Sequence, residues 1–122
     1  MVLSITPKTN LKILTCKGMM LVDLGAVVRV EAISNYSKIY FSNGKTLVVA
    51  KVLRWFEEAM GNKTFLRIHR THLVNRSFIK EYVQNPGRPA AGGTVYLTNG
   101  DCIEVSKRKK PLFLKNWYEP AA

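Results

Sequence analysis

Acidic residues are scarce in this chain. Eight Asp and Glu stand against nineteen Lys and Arg, a formal charge of +11 on 122 residues. So large an excess of one sign repels itself. It is most simply understood as matched to a phosphate-bearing partner, with an anionic membrane surface as the other fit to the sign. Cysteine is scarcer still. Cys16 and Cys102 are the only two, far apart in sequence and without a Cys-x-x-Cys pair, which excludes a secreted disulfide scaffold. Both are expected reduced, small and buried. Long apolar runs are missing: Met19–Val22 is among the longest and cannot span a bilayer. Met1–Leu14 lacks the continuous apolar stretch of a signal peptide, so a cytoplasmic location is the expectation.

Catalytic signatures are absent as well. There is no Gly-x-Ser-x-Gly elbow, and neither cysteine lies in a basic or histidine-rich stretch that would make it a nucleophile. Gly92-Gly93 lacks the spacing of a phosphate-cradling loop and does not open a helix. His69 and His72 stand three apart, with Glu57, Glu58 and Glu81 the nearer acids. A zinc site needs three or four convergent ligands, and residues three apart on an extended strand point to opposite faces. One histidine is therefore expected to pack in the core and the other to touch a partner or solvent. No enzyme, metal site or cofactor is expected.

What is present is a folding sequence, 47% hydrophobic and long enough for one domain. Short strands dominate: Leu11–Thr15, Met19–Val22, Val27–Ile33, Lys38–Ser42, Lys45–Val49, Ile79–Val83, Val95–Thr98 and Cys102–Val105. Asn43-Gly44 and Asn99-Gly100 are strong hairpin turns, and Lys17-Gly18 is a plausible third. Apolar residues at Val52, Leu53, Phe56, Ala59 and Met60 predict a helix over 51–60 that stops at Gly61. Lys107–Tyr118 predicts a second, with Ser106 as cap and Pro111 in its first turn, laying Leu112, Leu114 and Trp117 over one end of a sheet. Asn85–Gly93 holds two Pro and three Gly and reads as an irregular loop. The class is mainly β, of small antiparallel sheets packed together with a short central and a C-terminal helix. Residues 11–118 form the domain, between an extension at 1–10 and a tail at 119–122.

The polar residues cluster. Phe65–Arg76 holds Arg67, Arg70, Arg76, His69 and His72 within ten residues or so, and Ser106–Lys110 carries four consecutive cations. If the fold brings both to one side, the chain presents a polyanion-binding face. Asn35-Tyr36-Ser37-Lys38 lies at a strand junction, where a polar loop could enter a groove or simply form a solvated hairpin tip. Tyr36, Tyr40, Phe41, Tyr82 and Tyr96 could build a stacking platform for single strands, or serve as ordinary strand residues.

These residues, in order, resemble a known family. Val30-Glu31-Ala32, Asn35-Tyr36-Ser37-Lys38-Ile39-Tyr40, Phe65-Leu66-Arg67-Ile68-His69-Arg70-Thr71-His72-Leu73-Val74-Asn75 and Asn99-Gly100 through Lys107-Arg108 are similar to the LytTR DNA-binding domain. That family supplies the output domain of many bacterial response regulators. The resemblance covers roughly residues 12–117 and implies an elongated fold of small antiparallel sheets. It also implies a sequence-specific partner, double-stranded DNA, in paired direct-repeat sites that accommodate a homodimer on DNA. Such domains bind through loops that enter successive major grooves and bend the duplex. Carried over by position, Asn35, Ser37 and Lys38 make the first contact loop, with Ser37 and Lys38 at its tip. Arg70 and Thr71 make the second, and Lys107 and Arg108 the third. His69 and Asn75 are the structural members of the motif, fixing the Arg70 turn through backbone hydrogen bonds, and Arg67 stands either with them or with the contact residues. A receiver or sensor domain is expected to be absent or on a separate chain, the sequence being a stand-alone regulator or a piece of a longer one. The rival readings are an RNA- or single-strand-binding β domain and a basic module for an acidic protein partner.

Overall fold

The computed structural model describes residues 10–61 and 63–118. The tail and, Asn10 apart, the extension lie outside the described residues. Among the described residues, ten short strands make three antiparallel sheets. A two-stranded hairpin pairs β1 (Asn10–Thr15) with β2 (Gly18–Asp23). Five strands form the central sheet: β3 (Val27–Ile33), β4 (Tyr36–Phe41), β5 (Thr46–Val49), β6 (Phe65–His69) and β7 (His72–Asn75), in the order β5-β4-β3-β7-β6. A third sheet runs β10-β9-β8, from β8 (Ile79–Gln84), β9 (Gly93–Leu97) and β10 (Cys102–Val105).

Alternation along the central strands gives that sheet two apolar faces, so it is covered on both sides. Val30, Ile39, Phe65 and Leu73 face Leu11, Ile13 and Val22 of the hairpin. Leu53, Phe56 and Met60 of α1 (Leu53–Met60) close the same core. On the opposite face Val28, Leu66, Ile68 and Val74 meet Val95, Leu97, Ile103 and Val105, with Phe113 of α2 (Lys110–Tyr118) filling the gap.

The helices depart slightly from expectation. α1 starts at Leu53 and ends on Gly61, whose φ of 77° suits glycine. α2 starts at Lys110. The Ser106 hydroxyl accepts from the Lys109 amide at 3.2 Å, so Ser106 caps the turn leading into the helix. Phe113, not Leu112, is the buried anchor, and Leu112 is exposed. The two cysteines are free, in line with the expectation, but both are exposed and not buried, which corrects it. Each sits beside a hairpin turn, where a small side chain is not needed in a core. The segment read as an irregular loop contains a short 3-10 turn, Pro89–Ala91.

Candidate nucleic-acid interface

The Phe65–Arg76 segment is a tight hairpin. His69 pairs with His72 across the turn Arg70-Thr71. The two histidines therefore share a face, their ring centroids 6.2 Å apart, and do not point to opposite faces as an unbroken strand would require. A register shift between Arg67 and His69 puts Ile68 and His69 on one side.

Arg67 holds this turn from the other side. Its Nε donates to the His69 carbonyl at 2.8 Å and one terminal nitrogen to the Arg70 carbonyl at 2.6 Å. The other terminal nitrogen binds Glu57 of α1 at 2.9 Å. The turn backbone is thus clamped to the helix, while the Arg70 side chain stays exposed.

The histidine side is a hydrogen-bonded cluster centred on Thr71. Thr71 Oγ1 lies 2.8 Å from His69 Nδ1 and 2.9 Å from His72 Nδ1. His72 Nε2 lies 3.4 Å from Glu31, and the Tyr40 hydroxyl donates to the same carboxylate at 2.8 Å. His69 Nδ1 also accepts from the Thr71 backbone N–H at 3.2 Å, so the single Thr71 hydroxyl proton serves one of the two imidazoles at a time, and His72 Nε2–H donates to Glu31. Burial pushes His72 below the ordinary imidazole value of 6.5; Glu31 opposes that shift, and Arg29 and His69 reinforce it. With Arg29, Cys102, Ile103 and Glu104, these groups line a cleft of about 360 Å³. Among the described residues no three His, Cys, Asp or Glu converge as metal ligands.

Backbone hydrogen bonds line the turns up. β3 runs antiparallel to β7, and beyond the last paired residues Ala32 N–H donates to the Thr71 carbonyl at 2.8 Å. The β3–β4 turn, Ser34-Asn35, therefore sits at the same end of the sheet as Arg70-Thr71. Ser106 N–H donates to the Ile68 carbonyl at 2.9 Å, which docks the β10–α2 turn beside them. Arg70, Arg108 and Lys109 line one shallow cleft of about 270 Å³ with His69 and Ser106. The result is a row of three turns bearing Asn35, Arg70, Lys107, Arg108 and Lys109. The opposite end carries the Asn43-Gly44 and Asn99-Gly100 turns, where Asp101 pairs with Arg29 at 3.1 Å.

Several sequence-based site residues move. Ser37 is not at a loop tip. It is fully buried in β4, and its hydroxyl donates to the Lys51 carbonyl at 2.6 Å. The turn is shorter than expected because Ser34 takes a positive φ of 55° and closes it with Asn35. Lys38 is a half-buried strand residue, its ammonium 5.0 Å from the Tyr40 ring centre. The Thr71 hydroxyl is engaged by both histidines, so Thr71 shapes the turn. Asn75 is buried and structural, but at the other end. Its amide donates to the Leu24 and Val27 carbonyls, and its oxygen accepts from Ser77 N–H. Lys109 was missed as a site residue because a run of four cations gives no sign of which ones face the neighbouring turn. The aromatic residues do not form a platform. Phe41 packs against the first core and Tyr82 against the second, Tyr40 lies under the Arg29 guanidinium, and Tyr36 and Tyr96 are exposed on different sheets.

No curated protein matches the chain. Among solved structures, a Bacillus cereus chain described as the LytTr DNA-binding domain of a methyl-accepting/DNA response regulator is similar in fold. Its TM-score is 0.75 at 23% identity, covering 92% of this chain and 99% of that one. The family profile of the LytTr DNA-binding domain matches residues 17–117. With its three small sheets, two helices and hairpin-borne Arg-x-His motif, the chain belongs to the LytTR family of DNA-binding domains.

Proposed function

We propose that this chain is the DNA-reading part of a bacterial transcriptional regulator and that the row of three turns is its contact surface. Duplex DNA is recognised sequence-specifically, with the Arg70 turn and the Lys107-Arg108 turn entering major grooves and the Asn35 turn touching the duplex beside them. The observation that carries this reading is the pair of hydrogen bonds, Ala32 to Thr71 and Ser106 to Ile68, which align the turns along one cationic edge. Lysine suits phosphates as a point charge, while the exposed Arg70 and Arg108 can grip a guanine edge in bidentate fashion. Bending of the duplex is part of the proposal, since a bend brings more phosphate to the protein. Paired direct-repeat sites, assembly of two copies on DNA, coupling to a receiver domain on this or another chain, and a cytoplasmic setting complete the proposal. No reaction is assigned to the domain. The neighbour's description as a DNA response regulator domain supports the same direction.

Selection from random duplexes, followed by competition with single-stranded DNA and RNA of the same sequence, tests it. Recovery of a recurring duplex motif that single strands do not compete away is expected. Preference for single strands or RNA would overturn it, as would binding only to an acidic protein.

A further inference from the structure

The row of turns continues past the third one. β8 and β10 flank β9, with Gln84 paired to Gly93 and Gly93 to Val105. The β8–β9 loop, Asn85–Gly92, therefore leaves the three-stranded sheet at the same end as the β10–α2 turn. Its contact with that turn is close. Gly92 has a φ of 100°, and a Cβ there would run into the Val105 carbonyl oxygen and stand 3.2 Å from the Lys107 amide nitrogen. Only glycine permits both the backbone angle and the approach.

The loop is also internally closed. Asn85 N–H donates to the Gly92 carbonyl at 3.2 Å, Arg88 N–H to the Asn85 carbonyl at 3.1 Å, and Ala91 N–H to the Arg88 carbonyl at 3.0 Å. Arg88 is the loop's one charged residue, it is exposed, and no acid stands in the loop to pair with it. A hairpin needs no such length. A loop pinned at Gly92 against Lys107 and folded on itself presents a cation with little ordering left to do on binding.

We infer that the Asn85–Gly92 loop is a fourth contact element, and that Arg88 binds a backbone phosphate of the duplex outside the stretch read by Lys107 and Arg108. This rests on the DNA-binding reading above. A phosphate contact carries no sequence information and releases counterions. Replacing Arg88 should therefore weaken specific and unrelated duplexes by the same factor. The slope of log K against log salt should shrink by about one.

The experiment titrates fluorescent duplexes with the wild-type chain and with Arg88→Ala, Arg88→Lys and Lys45→Ala across a salt series. Lys45 is an exposed cation beside the opposite Asn43-Gly44 turn. Expected are a slope reduced by about one for Arg88→Ala, a slope retained by Arg88→Lys, and no change for Lys45→Ala. Unaltered affinity and slope in Arg88→Ala would overturn the inference. So would a loss confined to one base position, which would make Arg88 a base reader, or an equal loss in Lys45→Ala, which would make the effect one of net charge. If the wild-type chain itself fails to bind duplexes, the DNA-binding reading falls first, and that outcome is distinct from an unchanged Arg88→Ala.

Discussion

All three nitrogens of the Arg67 guanidinium are committed, two to the carbonyls of the turn that follows and one to Glu57. A lysine keeps the charge but not the planar fork. Arg67→Lys is expected to lower stability by about 2 kcal/mol, read by urea unfolding, because hydrogen bonds to charged groups are lost from a partly buried site. Arg70→Ala should leave the unfolding midpoint near wild type. It should weaken the preferred duplex by about 1–3 kcal/mol and relax preference at one base position, read by titration against single-base variants of the site. A uniform loss across sequences would make Arg70 a phosphate contact. The histidine cluster gives a pH dependence. The unfolded chain takes up the His72 proton near 6.5, and the folded chain only at lower pH, because burial disfavours the imidazolium. His72 therefore contributes stability that is present above 6.5 and is lost as pH falls through its folded value. Melting temperatures measured from pH 8 to pH 5 should drop more for wild type than for His72→Gln. Equal slopes would show that His72 titrates alike in both states.

Elements explain what the sequence could and could not reveal. The Asn-Gly hairpins, the α1 helix with its Gly61 stop and most of the strands were legible because local chemistry decides them. The place of Ser37 and the turn that Asn75 holds were not legible, for a different reason. Both side chains bond backbone distant in sequence, Ser37 to Lys51 and Asn75 to Leu24 and Val27, and pattern along the chain cannot show which carbonyl a polar residue will meet. The same holds for the two histidines, whose shared face follows from a two-residue turn inside what read as one polar run. α2 links packing to the interface. Phe113 is buried, stacks on Trp117 with centroids 5.6 Å apart, and closes the second core just after the third turn. Phe113→Ala should cost about 3–5 kcal/mol of stability. In that variant the Lys107–Lys109 turn should exchange its amide protons faster, read by hydrogen exchange at each residue. Unchanged protection there would show that the Ser106–Ile68 bond alone holds the turn.

Across the whole molecule, charge and topology agree. The central sheet is buried on both faces, so its ends are what remain for a partner, and the turns at one end gather Arg70, Lys107, Arg108 and Lys109. The net charge of +11 would supply affinity for any duplex, while the fixed spacing of the turns would supply choice among them. Raising salt should therefore erode binding to unrelated DNA and to the preferred site alike, with the difference between the two surviving. The most direct test of the arrangement is residue-by-residue mapping by NMR during titration with the selected duplex. The largest shifts are expected at Asn35, Arg70 and Lys107–Lys109, with Asn43-Gly44 and Asn99–Asp101 at the far end unmoved. Shifts centred on that far end, or on the outer face of the β1–β2 hairpin, would contradict the assignment of this edge to DNA.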